Sequence, residues 1–397
     1  MPVAPTQCVT QYFHLPFSEV EVENWARSQA ETHSKAPTFG FLFCATDTMH
    51  YSKEILEIVR IYGHVPVMVG CSGGGLIVNA HEFEGEGGFS VSLYYFPDTK
   101  AEVVHLPQEL FEVEDVAGAL RNVIADQAEE ANAWMLFASS DSFGGESWLA
   151  DWDQATGARM TIGGFACNIS DTGTAALYVN GDVFYAGAVA MSLSGAVTIE
   201  SVLAQGCRPV GSPWTVTQVE HNIIHEIGNR PILEVLRDTL EGMSQQEQKL
   251  ARGNIFIGLV LDEYKQDFEM GDFLVRNLAG IDPKTGSVAI ATPLRIGQNL
   301  QFQIRDAQTA SMDLEELLKS RMIQLKGRSV YGACLCDCIG RGASLFGVPD
   351  HDVSMIREIV PGLNVGGVFC NGEFATLDGR TLLHGYAASL ALFVEAV

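Results

Sequence analysis

The sequence lacks any long hydrophobic run and any recognisable export signal. Its longest apolar stretches, such as 255–260, are far shorter than the about 20 residues that a transmembrane helix needs. Residues 1–7 have neither the basic start nor the apolar core of a secretory signal peptide. We therefore expect a cytoplasmic protein with no membrane partner.

Basic residues are scarce. The chain has 24 Lys and Arg against 49 Asp and Glu, which gives a net charge of −25. A surface this acidic repels phosphate backbones and anionic lipids, so nucleic acid is excluded as a partner. The charge balance leaves open a small-molecule pocket.

The cysteines do not form a disulfide or metal pattern. There are nine of them, an odd number, and the C-x-x-C-H motif of haem attachment is missing. Cys334, Cys336 and Cys338 alternate, so on a strand they share one face and are expected to be buried as small hydrophobes. Metal-binding thiols more often come as C-x2-C on turns. Cys338 is the exception, because a neighbouring guanidinium would favour its thiolate.

What the sequence does contain is a glycine-tipped block at 330–375. An apolar run ends in Gly340-Arg341-Gly342, a loosely helical segment follows at 343–359, and a second apolar run, 365–370, precedes Asn371-Gly372-Glu373. Strand, loop, helix and strand in this order predict a βαβ-type unit. Its loops would gather backbone N–H groups and one guanidinium at one edge, where we expect a ligand.

The same pattern occurs twice more, at 41–75 and 134–168. Aligning the second strands places Gly70, Gly163 and Gly366 together, and Gly75 with Asn168 and Asn371, which suggests a shared bend at positive φ. Each block is followed by an apolar, strand-rich run. These repeats predict an α/β fold of repeated strand–helix–strand units with mixed sheets.

A β-rich inserted module at about 196–310 separates the second block from the third. It contains a predicted loop at 206–213, short helices at 231–239 and 246–252, and strands at 255–260, 273–278, 287–291 and 300–305. We predict three regions: an N-terminal segment with a helix (1–37), a domain of two repeated units (38–198), and a domain with the β-rich module and the third unit (199–397). A helix at 312–325 should bury Leu314, Leu317, Leu318 and Ile323.

Several motifs together resemble the FIST family. In chain order they are Val69-Gly70-Cys71-Ser72-Gly73-Gly74, Cys207-Arg208-Pro209-Val210-Gly211, Leu274-Val275-Arg276, Gln303-Ile304-Arg305-Asp306-Ala307, Cys338-Ile339-Gly340-Arg341-Gly342, and Gly372-Glu373 before His384. The resemblance covers about 38–395. It implies a FIST N-terminal-like and a FIST C-terminal-like part, a sensory role in signal transduction, and a small ligand such as an amino acid. No output domain accompanies them here, so a signal would pass to a separate partner protein.

The chemistry of a carboxylate ligand identifies the candidate site residues. Arg341 supplies a planar, permanently charged fork beside bare backbone N–H groups, and Asn371 or Glu373 could receive an ammonium group. Arg305 has an alternative interpretation as a structural partner of Asp306. The predicted ligand-binding residues are Arg341, Gly340, Gly342, Cys338, Asn371, Gly372, Glu373, Gly70, Cys71, Ser72, Arg276 and Arg305.

Two other classes of function stay open. A hydrolase could use Ser72 in Gly70-Cys71-Ser72-Gly73-Gly74, which fits G-x-S-x-G, or a Cys338–His384 pair. A haem-based gas sensor is implied as an alternative by the resemblance, with His221, His225 (beside Glu226) or His384 as ligands. We favour a binding module over an enzyme and expect no resident cofactor, haem being the alternative.

Overall fold

The computed structural model describes residues 7–143, 145–170, 173–265 and 267–397. The backbone forms two compact units, Met1–Leu203 with Leu317–Val397, and Ala204–Glu316. The larger unit contains all three predicted blocks, and the smaller contains most of the predicted β-rich module. The predicted regions 1–37, 38–198 and 199–397 follow the chain instead, and those boundaries stay a prediction. Residues 1–6 of the first region lie outside the described residues.

The elements follow the predicted order of strand, helix and strand. The strands before residue 205 are β1 (Cys8–Phe13), β2 (Phe39–Ala45), β3 (Met68–Gly73), β4 (Gly75–Val78), β5 (His81–Glu84), β6 (Phe89–Tyr94), β7 (Thr99–Leu106), β8 (Ala133–Ser139), β9 (Met160–Ala166), β10 (Leu177–Val179), β11 (Asp182–Phe184), β12 (Ala188–Gly195) and β13 (Val197–Ala204). The helices there are α1 (Glu19–Thr32), α2 (Ser52–Tyr62), α3 (Val116–Glu130) and α4 (Trp148–Thr156).

The smaller unit and the last block continue the chain. The smaller unit has β14 (Cys207–Glu220), β15 (Ile223–Ile227), β16 (Arg230–Pro231), β17 (Ile255–Val260), β18 (Phe273–Asp282), β19 (Ser287–Ile290) and β20 (Asn299–Arg305), with α5 (Ile232–Glu241) and α6 (Gln245–Ala251). Then come α7 (Ala307–Gln324), β21 (Val330–Cys338), α8 (Gly342–Phe346), α9 (His351–Ile359), β22 (Val365–Cys370), β23 (Glu373–Leu377), β24 (Arg380–His384) and β25 (Ala388–Glu395). Within the described ranges, no helix is both long and apolar enough to cross a bilayer.

Each block contains one parallel strand pair, as predicted. β2 pairs with β3, β8 with β9, and β21 with β22. Helices between the paired strands bury an apolar stripe, for example Ile55, Leu56 and Val59 of α2. These connections confirm the α/β fold with mixed sheets.

The three blocks exchange their hairpins in a cycle. The hairpin β10–β11 of the second block pairs with β3 of the first, β23–β24 of the third with β9 of the second, and β4–β5 of the first with β22 of the third. Three six-stranded sheets result, in the orders β1-β6-β2-β3-β10-β11, β24-β23-β9-β8-β12-β7 and β13-β25-β21-β22-β4-β5. Every sheet is therefore completed by strands from another block.

A ring of backbone hydrogen bonds links the ends of the second strands. The N–H of Cys167 donates to the carbonyl of Ser72 (3.0 Å), that of Asn371 to Phe165 (3.2 Å), and that of Gly74 to Phe369 (2.9 Å). The blocks thus donate to one another in the same cyclic sense as the hairpins.

The repeated glycine is needed for close approach of paired strands. A Cβ at Gly70, Gly163 or Gly367 would lie only 1.8, 1.7 or 2.2 Å from the carbonyl oxygen of the paired residue, which is Leu42, Leu136 or Leu335 respectively. The third equivalent is therefore Gly367, and the alignment with Gly366 was wrong by one residue. The equivalence of these glycines depends on the register of the paired strands, which the sequence alone does not show.

The core of the larger unit is rich in phenylalanine and cysteine. Phe41, Phe43 and Phe137 pack there with Cys71 and Cys336. All nine cysteines are free and buried, which confirms the predicted burial of Cys334, Cys336 and Cys338. No group of three or more His, Cys, Asp or Glu side chains in the described parts of the chain could hold a metal ion.

Helix α7 starts at residue 307, five residues before the predicted helix, and its buried stripe is narrower. Leu314 and Leu318 are buried as expected, whereas Leu317 and Ile323 are exposed. A helix turns roughly 100° per residue, so Ile323, nine positions after Leu314, lies on the opposite face. The predicted inward position of Leu317 and Ile323 was wrong.

The smaller unit is built on an antiparallel sheet in the order β14-β20-β17-β18-β19-β15-β16. The predicted strand 255–260 is confirmed as β17. The predicted loop at 206–213 is wrong, because this segment belongs to β14 and pairs with β20 from Cys207 to Val210. Its prolines are accommodated by a break in the pairing between Val210 and Trp214.

The substitution Gly70→Ala tests the close strand approach. Because the added methyl would meet backbone and not a movable side chain, we expect a loss of about 3 kcal/mol or more in the free energy of unfolding. Gly385→Ala is the matched control, since a Cβ there meets nothing within 4 Å. Urea denaturation followed by circular dichroism measures both, and equal effects of the two substitutions would contradict the packing argument.

Candidate functional site

Arg341 is buried and paired with an acid of the same chain. Its side chain is 0% exposed. Its Nε donates to Asp352 Oδ2 at 2.7 Å, and its Nη2 to Asp352 Oδ1 at 3.1 Å. Asp337 Oδ1 lies 3.2 Å from the same Nε. The guanidinium therefore makes the predicted bidentate contact with a carboxylate, but that carboxylate is Asp352 of the same chain.

The backbone donors beside Arg341 are occupied as well. The N–H of Ala343, at the start of α8, donates to Glu84 Oε1 at 2.8 Å. A Cβ on Gly342 would lie 2.3 Å from Glu84 Oε2, and the φ of +65 at this position favours glycine. Glu84 belongs to β5, which the hairpin exchange places beside this loop. The donors that the prediction assigns to a ligand are therefore paired with carboxylates of the chain itself.

Burial and pairing set the protonation of these acids. Burial opposes the charge of Asp352, but the Arg341 guanidinium outweighs it and lowers the pKa of Asp352 to about 2. Burial raises the pKa of Asp337 well above its usual value, helped by the nearby charge of Asp352. His351 also contacts Asp352, with Nδ1 and Oδ1 2.9 Å apart. The cluster is thus an Arg341–Asp352 ion pair beside Asp337, whose ionisation is opposed by burial.

Cys338 and Glu373 lie together next to this cluster. The Cys338 sulfur accepts the N–H of Tyr386 (3.2 Å) and that of Gly340 (3.5 Å). Glu373 accepts the N–H of Ala387 (3.1 Å) and hydrogen-bonds to the Cys338 thiol. Burial raises the pKa of both Cys338 and Glu373, which favours the protonated form of each. The hypothesis that Arg341 makes Cys338 a thiolate is wrong, because burial raises the pKa of this thiol and the guanidinium is paired with Asp352.

Ser72 has a structural role in the strand pairing. Its Oγ accepts the N–H of Ala176 at 2.9 Å, and the side chain is 0% exposed. The next element is β4 and not a helix, so the strand–turn–helix geometry of a nucleophile elbow does not form. Gly70 and Cys71 lie in the same buried strand. Asn371 is exposed, and Gly372 donates its N–H to Glu373.

Arg276 and Arg305 lie in the smaller unit. Arg276 donates from Nε to Thr292 and from Nη1 to the carbonyl of Val275 (3.2 Å). Both guanidinium side chains are buried in the sheet, on β18 and β20. The predicted site residues are therefore divided between the two units.

The candidate haem ligands are also separated. His221 is in the turn between β14 and β15 with φ +52, and His225 hydrogen-bonds through Nδ1 to Ser287 Oγ (2.8 Å). His384 is buried in the larger unit, where it pairs with Glu373 across β23 and β24. His221 and His225 belong to the smaller unit and His384 to the larger, and the absence of a resident cofactor, with haem as the alternative, stays a prediction.

The smaller unit contains an open recess with arginines in it. Its volume is about 530 Å³, and its lining residues are Arg208, Pro209, Val210, Gly211, Ser212, Trp214, Arg230, Val235, Asp238, Thr239, Gly242, Met243 and Glu247. One wall is β14 and the other is formed by α5 and the start of α6. Pairing of β14 with β20 is interrupted between Val210 and Trp214, and Gly211 has φ +67 there. Bulges of this kind re-aim side chains beside functional sites.

The ion pairs of the arginines in this recess are partly exposed to solvent. Arg208 lies 3.4 Å from Glu247 and 3.5 Å from Asp306, and Arg230 lies 2.6 Å from Asp238. The arginine side chains are 32% and 42% exposed. Hydrogen bonds from Ser244 lower the pKa of Glu247, so it is ionised. The arrangement can receive a carboxylate at a guanidinium and an ammonium group at an acid.

Arg208 is not among the predicted site residues, although its motif carries the family resemblance. The Pro209-x-Gly211-x-Pro213 spacing predicts a loop. Proline and glycine inside a strand also mark bulges, and this was the available signal. What the sequence could not show is that α5 and α6 pack beside the bulge to make a recess.

The Arg341–Asp352 pair should be structural, and a double-mutant cycle tests this. Arg341→Ala should lower the free energy of unfolding by about 3–5 kcal/mol, because it leaves a buried carboxylate without its partner. Adding Asp352→Asn should restore part of the loss. Arg27→Ala removes the exposed pair with Glu23 and should cost no more than about 0.5 kcal/mol. Urea denaturation measures each, and an Arg341→Ala variant as stable as Arg27→Ala would refute the structural role.

Comparison with known proteins places the chain in a family. A model of the FIST N domain matches residues 38–230, and a model of the FIST C domain matches residues 233–376. The uncharacterized protein Rv0628c of Mycobacterium tuberculosis is 33% identical over 370 residues, covering 93% of this chain and 94% of the relative. The uncharacterized protein Mb0898c of Mycobacterium bovis is 32% identical over 380 residues, covering 95% and 96%. FIST domains are signal-transduction sensor domains, and this chain belongs to the FIST family.

Proposed function

We propose that this FIST protein senses a small zwitterionic molecule, such as an amino acid, in the recess beside Arg208. The observation that carries the proposal is the placement of partly exposed guanidiniums opposite carboxylates around one volume of about 530 Å³. A volume of this size is within the range of about 300–1,000 Å³ found for small-molecule pockets. Ser212, Thr239 and Trp214 add hydroxyl groups and an aromatic surface to the lining.

The free energy needed to separate each arginine from its carboxylate partner favours the site at Arg208 over the site at Arg341. Exposed ion pairs contribute only about 0–1 kcal/mol each. The distances from Arg208 to Glu247 and Asp306, 3.4 and 3.5 Å, are also longer than the about 2.7–2.9 Å of a strong charged hydrogen bond. A ligand carboxylate can therefore replace these acids at Arg208 with little penalty. At Arg341 it would have to break a buried pair, at a cost of several kcal/mol.

The proposal includes a cytoplasmic location and a separate signalling partner. Nine free thiols support a reducing compartment, because disulfides are rare in cytosolic proteins. A bound ligand signals only if it binds one conformation better than another. A ligand between β14 and α5 would hold these two elements together. A partner protein that binds only one spacing of β14 and α5 would then respond to the ligand.

Ligand-induced thermal stabilisation of the full chain tests the proposal. We expect at least one amino acid or small organic acid from a panel to raise the melting temperature, since a ligand that binds the folded state stabilises it. Arg208→Ala should lower the affinity for that ligand about 10- to 100-fold, because a hydrogen bond to a charged group contributes about 1.5–3 kcal/mol. Isothermal titration calorimetry gives the affinities.

Arg295→Ala is the matched control for this experiment. Arg295 is in the same unit, is 68% exposed and pairs with Glu263, but does not line the recess. Its loss should leave affinity unchanged. Equal binding by Arg208→Ala and the unmodified chain would contradict the site. Haem belongs in the same panel, and a Soret band that persists in Arg208→Ala would favour the gas-sensor alternative instead.

A further inference from the structure

We propose that a second recess, in the larger unit, binds an organic ammonium or guanidinium cation. It has a volume of about 460 Å³, and its lining residues are His105, Pro107, Gln108, Glu109, Glu112, Phe184, Tyr185 and Ala186. These residues come from the end of β7, the 3₁₀ turn Gln108–Phe111 and the end of β11. The proposed zwitterion site does not share any of them.

Aromatic rings form one wall of this recess. The imidazole of His105 stacks on the ring of Phe184, with centroids 3.6 Å apart and planes at 10°. Tyr185 is 56% exposed, which is a large area for a ring on a surface. The face of an aromatic ring is electronegative and attracts cations within about 6 Å of its centre. Quaternary ammonium groups are recognised by aromatic side chains that line a pocket.

Carboxylates stand beside the rings, and the described residues of the lining include no Lys or Arg. Glu109 is exposed, and Glu112 accepts a hydrogen bond from Gln108 at 2.8 Å. The charge of the lining is therefore negative. This distinguishes the recess from the one at Arg208, where acids are balanced by guanidiniums. A protein with a net charge of −25 also attracts cations generally.

The backbone holds the recess in shape. Gly187 follows the aromatic segment with φ +79, and a Cβ there would lie 2.1 Å from the carbonyl oxygen of Leu106. Its N–H donates to Ser142 Oγ (2.7 Å), and its carbonyl accepts the N–H of Ser139 (2.9 Å). His105 Nε2 lies 3.2 Å from the carbonyl oxygen of Ala186. These bonds fix the loop at 185–187 against the end of β7, so less order has to be imposed on binding.

The same chemistry could come from a free metabolite or from a side chain of a partner protein. Titration calorimetry of the full chain, at constant ionic strength, should use two probes of each kind. Choline and its neutral isostere 3,3-dimethyl-1-butanol represent the free molecule. Nα-acetyl-arginine amide and Nα-acetyl-trimethyllysine amide represent a partner side chain. Tighter binding of the amino-acid probes would indicate that the natural cation is a side chain of a partner protein. Tighter binding of choline would indicate that it is a free molecule.

We expect choline to bind at least 10-fold more tightly than its neutral isostere, because only the cation gains from rings and carboxylates. Tyr185→Ala should weaken binding of the cations at least 10-fold, whereas Tyr185→Phe should retain it. Glu109→Gln combined with Glu112→Gln should weaken binding and reduce its dependence on salt. Tyr264→Ala, which removes another exposed tyrosine, is the control and should change nothing.

Three results would overturn the proposal: equal affinity for choline and the isostere, unchanged binding by Tyr185→Ala, or no binding of any cationic probe at millimolar concentration. Each variant is at the surface, so loss of folding is not expected, and the melting temperature without ligand checks this. Because Arg208 is in the other unit, Arg208→Ala should leave cation binding intact. The two proposals can therefore fail separately.

Discussion

The cyclic exchange of hairpins between the three blocks is the constraint on which the larger unit depends. A two-stranded hairpin is at best marginally stable alone, and an open sheet edge exposes unpaired backbone groups. Here each block covers the edge of another block with its own hairpin. The glycines that permit close strand pairing and the ring of hydrogen bonds through Ser72, Phe165 and Phe369 repeat the same symmetry. The first and last blocks therefore depend on each other for complete sheets.

The exchange also delivers the acids that surround Arg341. Strand β5 of the first block carries Glu82 and Glu84 to the loop and helices of the third, where they accept the N–H groups of Val353 and Ala343 at the starts of α9 and α8. Acids are favourable at helix N-termini, whose free N–H groups carry partial positive charge. Arg341 and Asp352 complete this buried junction. What resembles an anion-binding loop in one block is thus the connection between two blocks.

Burial separates structural arginines from those that are available to a ligand. Arg341, Arg276 and Arg305 are almost completely buried, and a guanidinium in such a place must be satisfied by the protein itself. Arg208 and Arg230 are partly exposed and face a recess, where solvent makes their ion pairs weak. A sensor needs groups that can change partners, and weakly paired charges meet that need. The recess near Tyr185, which we propose as a cation site, instead has carboxylates and aromatic rings in its lining.

The sequence by itself determined the repeated strand–helix–strand blocks, the burial of the cysteines and membership of the FIST family, because these follow from local periodicity and motif order. Only the tertiary structure decided which hairpin completes which sheet, that Gly367 and not Gly366 matches Gly70, and that Asp352 and Glu84 fill the predicted anion site. Alternation shows which face of a strand is buried but not which strand lies beside it. An arginine between two glycines suits a ligand or an internal acid equally well until distant residues are brought together, and the recess at Arg208 likewise needs β14, α5 and α6 to be packed.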